Sequence, residues 1–598
     1  MMSDSESPIA AVDAATGDSS LFARLDEASR RAVEAEVEWV RIAGGSTLFR
    51  QGDAGDSLYI LIRGRLQAMV EVPGREPEQI GEIARGEIVG EMAVLTGDPR
   101  SATIRAVRDS ALVRFSKQAF EKLAEGNPNA MLAVTRRIIR RLQQRNLSTT
   151  PPAPRVATVA VLGLDDDDGC AAIAAELQRA LQAIGPTREL TSAGIERELD
   201  GGSDEERARW LDDQERRHDY LLYVGDRGPS PWSSRCVRQA DRILLVASAE
   251  AAPDPVRLAA RLAAFGLPHH GTRTELVLVQ PPDRQTPQGT EQWLSATGLQ
   301  VHHHVHRGSK PDGERLARFL TGRAIGLVLG GGGARGFAHI GVIRALREAG
   351  VPIDAIGGTS MGAVIAAQYA MGRDEAALRT LNRRTWIDAN PLNDKTLPVV
   401  ALLACRRLDR MVTDMFGAME IADLWLPYFC ISTDLTHAEV RVHDRGAVGR
   451  AVRASMSLPG MAIPIRDGNA LLVDGGVLNN VPADIMKKRC GGKVIAVDVT
   501  PEKDLAVNGA YPEAASGWNF LVNRKRHAMP SILAIIMRTV MLSSAHYRGR
   551  VSRDIDLLVA PHIARFGMFE WHRLDEIAQA GYDAARPALA RWLESGSK

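Results

Sequence analysis

The alternation of apolar and polar residues changes character three times along the chain. Between Leu21 and Phe115, short strand patterns (46–53, Ser57–Val70, 78–90, 101–107 and 111–116) are broken by Gly-Asp turns. Strands at such regular short spacing predict a small β-barrel or jelly roll. A helical stretch follows at Lys117–Arg145, with Met131, Val134, Ile138 and Leu142 at helical intervals and many Arg residues on the other face. Ser148–Pro154 (STTPPAP) reads as a linker. From 156 to 320, continuous apolar runs (156–162, 219–224, 242–247 and 275–280) alternate with helical patterns such as Ile173–Ile184 and Val256–Phe265. That alternation predicts a middle α/β domain with a mostly parallel sheet. A second α/β unit runs from Ile325 to about Val499, and the last hundred residues read as mainly helical around Ser531–Ser544 and Leu574–Leu593.

The expected organisation is a disordered tail (1–20), a barrel domain with C-terminal helices (21–147), a linker (148–155), a middle α/β domain (156–320), an α/β domain (321–500) and a helical extension of it (501–598). At 598 residues the chain is too long for one core. Lys and Arg number 74 against 73 Asp and Glu, so no whole-chain charge points to a nucleic-acid partner. Cys170, Cys236, Cys405, Cys430 and Cys490 are widely spread without a CxxC, which argues against a disulfide framework or a Cys-type zinc site and fits a reducing cytoplasm. The acidic first twenty residues do not read as a signal peptide. No run of about 18 apolar residues occurs, the nearest being Ile532–Leu542, which contains Arg538.

Three glycine-centred elements carry the chemistry. The first is a strand, then Gly330–Gly336, then a helix. The second is a strand, then Gly358-Thr359-Ser360-Met361-Gly362, then a helix. The third is a strand ending in Asp474-Gly475-Gly476. GxSxG between strand and helix is a nucleophile elbow, a sharp turn that presents Ser360 Oγ at the carboxyl edge of the sheet. The glycine run opening a helix supplies backbone N–H donors for an oxyanion, with Gly331, Gly332 and Gly333 as candidates. Gly331 lies 29 residues before Ser360, about one βαβ step, so both loops should open on the same sheet edge. Asp474 beside two glycines could act on Ser360 directly as a base, provided burial raises its pKa.

Two other readings compete. A Ser-Asp-His triad would place its histidine after Asp474, at His527, His546, His562 or His572, while His339 falls on the helix after the glycine loop and reads as a packed residue. A dinucleotide site is suggested by Gly331, Gly333 and Gly336 in a GxGxxG pattern. The second strand, however, ends in Gly357-Gly358-Thr359-Ser360 where that fingerprint wants an acid.

The motifs Gly331–Gly336 (including Arg335), Gly358–Gly362 and Asp474–Gly476 match, in order, those of patatin-like phospholipases, and Arg453–Ile465 resembles the same family. Segments 156–162, 180–187, 231–241 and 481–488 resemble the neuropathy target esterase branch. The resemblance implies a patatin fold, a Ser360–Asp474 dyad needing no metal or catalytic cofactor, and hydrolysis of acyl esters in phospholipids or lysophospholipids. The scattered cysteines and the lack of a spanning run, not the resemblance, set the expected location as the cytoplasm, peripheral on the inner membrane.

The barrel contains Gly90-Glu91 and Arg100-Ser101-Ala102-Thr103, resembling the phosphate-binding cassette of cyclic-nucleotide-binding domains. The short helix after Gly90 offers N–H groups to an anion, Arg100 can neutralise a cyclic phosphate, and Glu91 can accept from the ribose hydroxyl. Ser101 and Thr103 can add donors, and the ligand expected is cAMP or cGMP. An alternative reading from a different class is a cyclic-nucleotide sensor whose hydrolase-like domain is an interaction module.

Three further signals read as structural. Asp165–Asp168 lacks the Lys of a P-loop and would repel phosphate. His302, His303, His304 and His306 read as an exposed edge strand in preference to a metal site. Ile532–Leu542 with Arg524–Arg526 upstream reads either as core or as a patch toward anionic lipid.

Overall fold

The computed structural model describes residues 7–16, 31, 34–71, 78–126, 157–165, 169–199, 201, 204–267, 272–500 and 552–596. The chain divides into two compact units, Met1–Arg284 with Gln292–Thr321, and Gln285–Glu291 with Gly322–Lys598.

The first unit holds two sheets. In the expected jelly roll, β1 (Val37–Ile42), β2 (Thr47–Phe49), β3 (Ser57–Val70), β4 (Glu78–Ile83), β5 (Ile88–Val89) and β6 (Thr103–Ser116) all pair antiparallel, in the order β1-β6-β3-β4 with β2 on β6 and β5 on β3. The tail expected to be disordered contains a helix, Pro8–Thr16, whose Ile9 and Val12 pack fully buried with Val37, Leu58 and Phe115. Two apolar residues at i and i+3 suffice to seat it, although polar neighbours dilute the signal. The helical stretch at Lys117 is described as far as Gly126, whereas the rest of it and the 148–155 linker lie outside the described residues.

The middle sheet is wholly parallel, as its continuous apolar runs require. Its strands are β7 (Thr158–Gly163), β8 (Thr187–Leu190), β9 (Tyr220–Val224), β10 (Arg242–Ser248), β11 (Thr274–Gln280) and β12 (His302–His306), in the order β12-β11-β10-β7-β9-β8. The histidine run does form an edge strand, but His303 and His304 are buried and not exposed as expected. Helices cover an α/β sheet on both faces even at its edge, and these two side chains are absorbed by Glu275 Oε2 (2.9 Å from His303 Nε2) and Gln280 Nε2 (3.1 Å from His304 Nδ1). Barrel and middle sheet meet through a buried ionic contact: Arg65 Nε and Arg108 Nε lie 3.4 and 3.5 Å from Asp241 Oδ1, and Arg108 Nη1 lies 2.8 Å from Glu215.

The second unit is built on one mixed sheet. Its strands are β13 (Ile325–Leu329), β14 (Ala355–Gly358), β15 (Tyr428–Asp434), β16 (Glu439–His443), β17 (Ile465–Asp467), β18 (Ala470–Asp474), β19 (Lys493–Val497) and β20 (Leu557–Val559). The order is β17-β18-β15-β14-β13-β19-β20, with β16 also on β15, and the run from β15 to β20 is parallel. Helices Ala338–Glu348 and Met361–Ala370 follow β13 and β14 and are buried nearly throughout. The long helix Leu574–Gly596 crosses Ala338–Glu348 at reciprocal glycines: a β-carbon on Gly341 would sit 1.8 Å from Ala578 O, and one on Gly581 2.0 Å from Ala338 O. Ser531–Ser544 lies outside the described residues.

Candidate active site

Neighbouring parallel strands β13 and β14 deliver their following loops to one sheet edge. Ser360 caps helix Met361–Ala370 with φ 54° and ψ −122°, a left-handed conformation that a serine adopts only under strain. The elbow closes tightly enough that a β-carbon at Gly362 would lie 2.0 Å from Leu329 O. The glycine loop lies against the serine, since a β-carbon at Gly331 would stand 3.0 Å from Ser360 Cβ.

The three expected oxyanion donors are not equivalent. Gly331 N–H donates to Asn480 Oδ1 (3.2 Å), and Asn480 Nδ2 donates back to Gly331 O (3.1 Å) and to Thr500 Oγ1 (3.0 Å). Gly332 and Gly333 N–H have no acceptor among the described residues, and Gly333 lines the cavity beside Ser360. The loop is pinned on its other side by His339, whose Nε2 lies 2.7 Å from Gly330 O. Burial holds that imidazole down to about 4 against the opposing pull of the carbonyl, so it is neutral at ordinary pH. Arg335 Nε donates to Phe566 O (2.8 Å), tying the glycine loop to the chain after 552. Gly336 is buried, and Gly358, the last residue of β14, is buried before the elbow.

Asp474 ends β18, wholly buried. Its Oδ1 accepts from Gly476 N–H (2.8 Å), and Oδ2 is buried without a well-aligned donor. Burial raises the Asp474 carboxyl to about 6, while the Ser360 hydroxyl and the Gly476 N–H pull the other way. The structure therefore brings Ser360 and Asp474 together, and Gly475 and Gly476 form the turn that follows. No histidine among the described residues hydrogen-bonds either of them. His562 and His572 are exposed, and His527 and His546 lie outside the described residues.

Two contributors were not singled out from the sequence as site residues. Ser455 Oγ accepts from Ser360 N–H (2.9 Å), and Ser457 O accepts from Asp474 N–H (2.9 Å). Arg453 Nη1 holds Ser457 Oγ at 2.7 Å, so one short segment fixes both the elbow and the acid. Asn480 is the other, signalled only by the Asn479-Asn480 pair just after Asp474-Gly475-Gly476. The cavity in front of Ser360 is otherwise apolar, walled by Met361, Trp386, Leu392, Leu403, Leu408, Met456, Leu458, Met461, Ala462, Met568, Phe569 and Trp571. Trp386 and Trp571 stack at 4.3 Å between ring centroids. Such a pocket suits a hydrocarbon chain.

In the barrel, Gly90 has φ 81° and caps helix Glu91–Thr96, and Glu91 is buried. Arg100 is folded inward, donating to Gly90 O (3.0 Å) and Ser57 Oγ (3.4 Å) with its guanidinium 4.2 Å from the Phe49 ring centroid. Burial lowers its pKa. Thr103 Oγ1 donates to Glu71 (3.3 Å) and accepts from Gln51 N–H (2.9 Å), and Ser101 is exposed. At the middle sheet's carboxyl edge, Asp165 Oδ2 accepts from Ser248 N–H (2.5 Å), a position taken by an acid where a phosphate would need donors.

Residues 327–487 match the patatin-like phospholipase family, residues 155–321 the neuropathy target esterase family P-loop like domain, and residues 39–127 the cyclic nucleotide-binding domain. Patatin-like phospholipase domain-containing protein 7 of Mus musculus is 32% identical, the match covering 95% of this chain and 46% of the relative. The corresponding protein 6 of Homo sapiens is 33% identical, covering 94% and 45%, and Neuropathy target esterase sws of Drosophila melanogaster is 32% identical, covering 91% and 42%. The chain thus spans less than half the length of these relatives.

Proposed function

We propose, for a chain that carries a patatin-like phospholipase domain behind a neuropathy target esterase family P-loop like domain and a cyclic nucleotide-binding domain, that it is a serine esterase acting on lysophospholipids or phospholipids. The observation that carries this reading is Ser360 on a strained elbow, beside the buried Asp474 and at the head of an apolar cavity.

In this reading Ser360 Oγ attacks the acyl carbonyl and Asp474 takes its proton. A carboxyl titrating near 6 is still ionised at pH 7, yet basic enough to accept a proton as the bond forms. The developing oxyanion is received by the N–H groups of Gly332 and Gly333, whose loop is already pinned by Asn480 and His339 and so needs no reorganisation. Asp474 then returns the proton to the departing alcohol, and water releases the acyl group by the same steps. Ser360→Ala is expected to abolish hydrolysis of dispersed lysophospholipid and covalent labelling by a fluorophosphonate probe. Retained labelling would refute the assignment of the nucleophile.

Among the described residues no helix is long and apolar enough to cross a membrane, and the proposal places the enzyme in the cytoplasm, peripheral on the inner membrane. The barrel is proposed to take cAMP or cGMP as a regulatory ligand. This is supported by Gly90, Glu91 and Arg100 standing together, with the guanidinium exchanging Gly90 O and Ser57 for the cyclic phosphate.

A further inference from the structure

The residues between Lys395 and Arg406 contain no charged side chain. The structure folds them into a hairpin: Lys395 bridges Leu403, and Thr396 N–H donates to Leu402 O (3.0 Å). The base of the hairpin is part of the site, because Leu403 lines the cavity in front of Ser360 and its N–H donates to Met461 O (3.0 Å), another wall residue. Among the described residues the tip is left open at the surface. Leu397, Val399 and Val400 are 79%, 80% and 66% exposed, and Leu402 and Ile463 beside them are each 40% exposed. Single exposed aliphatics are ordinary on a protein surface, but three within four residues at the head of a hairpin are not.

The surroundings say what such a tip meets. Lys395, Arg406, Arg407 and Arg410 flank it, all exposed. Of the two acids beside them, Asp409 Oδ1 is paired with Arg453 Nε, whereas Asp394 Oδ2 accepts only from Arg407 N–H and keeps its charge, so four cations face one uncompensated carboxylate. An apolar tip flanked by an excess of cations matches the layering of an anionic bilayer, headgroup charge outside and hydrocarbon within.

We propose that the 396–402 hairpin docks this domain on an anionic lipid surface, inserting Leu397, Val399 and Val400 so that the apolar cavity opens onto the lipid. The proposal rests on the esterase reading for its purpose, but not for its test. The continuity of tip, Leu403 and cavity gives an acyl chain a path from membrane to Ser360 without crossing water. This moves the membrane contact from Ile532–Leu542, which lies outside the described residues, to a segment whose exposure is observed.

The test is co-sedimentation of the full chain with phosphatidylglycerol–phosphatidylcholine vesicles, comparing wild type with Val399→Asp/Val400→Asp. Fluorophosphonate labelling of Ser360 is the control for an intact site. Two carboxylates at the tip are expected to weaken partitioning by at least about tenfold and to slow hydrolysis of vesicle-borne substrate in proportion. In Val399→Cys carrying an environment-sensitive fluorophore, emission is expected to shift to the blue only when vesicles are added, against wild type treated with the same label. Unchanged sedimentation of the double variant would overturn the proposal. So would emission already blue-shifted without vesicles, which would mean that protein covers the tip, or a wild-type dimer that the variant dissolves while vesicle binding persists. Vesicle binding by a wild type that hydrolyses neither lysophospholipid nor phospholipid would refute the esterase reading and leave the docking surface standing.

Discussion

Asp474→Asn separates the chemistry of the buried acid from its cost to the fold. The carboxyl is raised from 3.8 to about 6, chiefly by burial. The protonated form is therefore the one the folded protein favours. The stability this provides is complete below about pH 4 and is lost as pH rises through about 6. A displacement of about 2 pKa units corresponds to about 3 kcal/mol of penalty once the group is ionised, at pH 7 to 8. Asparagine is neutral throughout, keeps an oxygen for Gly476 N–H, and can donate to Ser360 Oγ. Asp474→Asn is thus expected to match wild type in stability near pH 4 and to exceed it by up to about 3 kcal/mol at pH 8, while losing about a thousandfold or more in kcat. Urea unfolding at both pH values, followed by near-ultraviolet circular dichroism with the stacked Trp386–Trp571 pair as the reporter of this unit, measures the difference. Wild-type kcat should fall below about pH 6 with the slope of a single proton. A stability difference independent of pH, or a variant less stable than wild type at pH 8, would refute the assignment of a strained, buried carboxylate.

Three other substitutions follow from geometry already described. Gly362→Ala places a β-carbon 2.0 Å from Leu329 O; it is expected to cost more than about 4 kcal/mol, seen as a lost or strongly lowered unfolding transition. Asn480→Ala releases Gly331 from both of its side-chain bonds. It should lower kcat about tenfold to a hundredfold with little change in KM, the signature of a misplaced oxyanion loop. Arg100→Ala removes the one cation of the barrel cassette and should abolish cAMP and cGMP binding in calorimetry; undiminished binding would refute the nucleotide assignment.

The glycine loop, the elbow and the acid were legible because each is a local signal, a turn whose backbone tolerates few residue types. Strand pairing then does little more than bring the loops to a common edge. What was not legible comes from residues far apart in sequence. Asn480 engages Gly331 across 149 positions, and Arg335 reaches Phe566 across 231. No pattern of neighbours encodes such meetings, so the sequence offered Gly331 as a free donor when its N–H is already committed. The buried His303 and His304 show the same blindness, since a histidine run reads as polar until Glu275 and Gln280 arrive from the adjoining strand. Arg453–Ile465 was visible as a resemblance without a reason. Its reason is that Ser455 and Ser457 hold the backbones of Ser360 and Asp474.

The stretch matched by the patatin-like phospholipase family, 327–487, contains every motif residue and still is not expected to fold alone. Met568, Phe569 and Trp571 close the cavity, Phe566 O and Met568 O anchor the glycine loop, and helix Leu574–Gly596 fills the crossing at Gly341. A fragment trimmed to the motifs would expose the buried face of helix Ala338–Glu348 and open the floor of the cavity. Such a fragment is expected to aggregate, and a nonsense codon between 475 and 573 should behave as a null allele even though Ser360 and Asp474 are both translated.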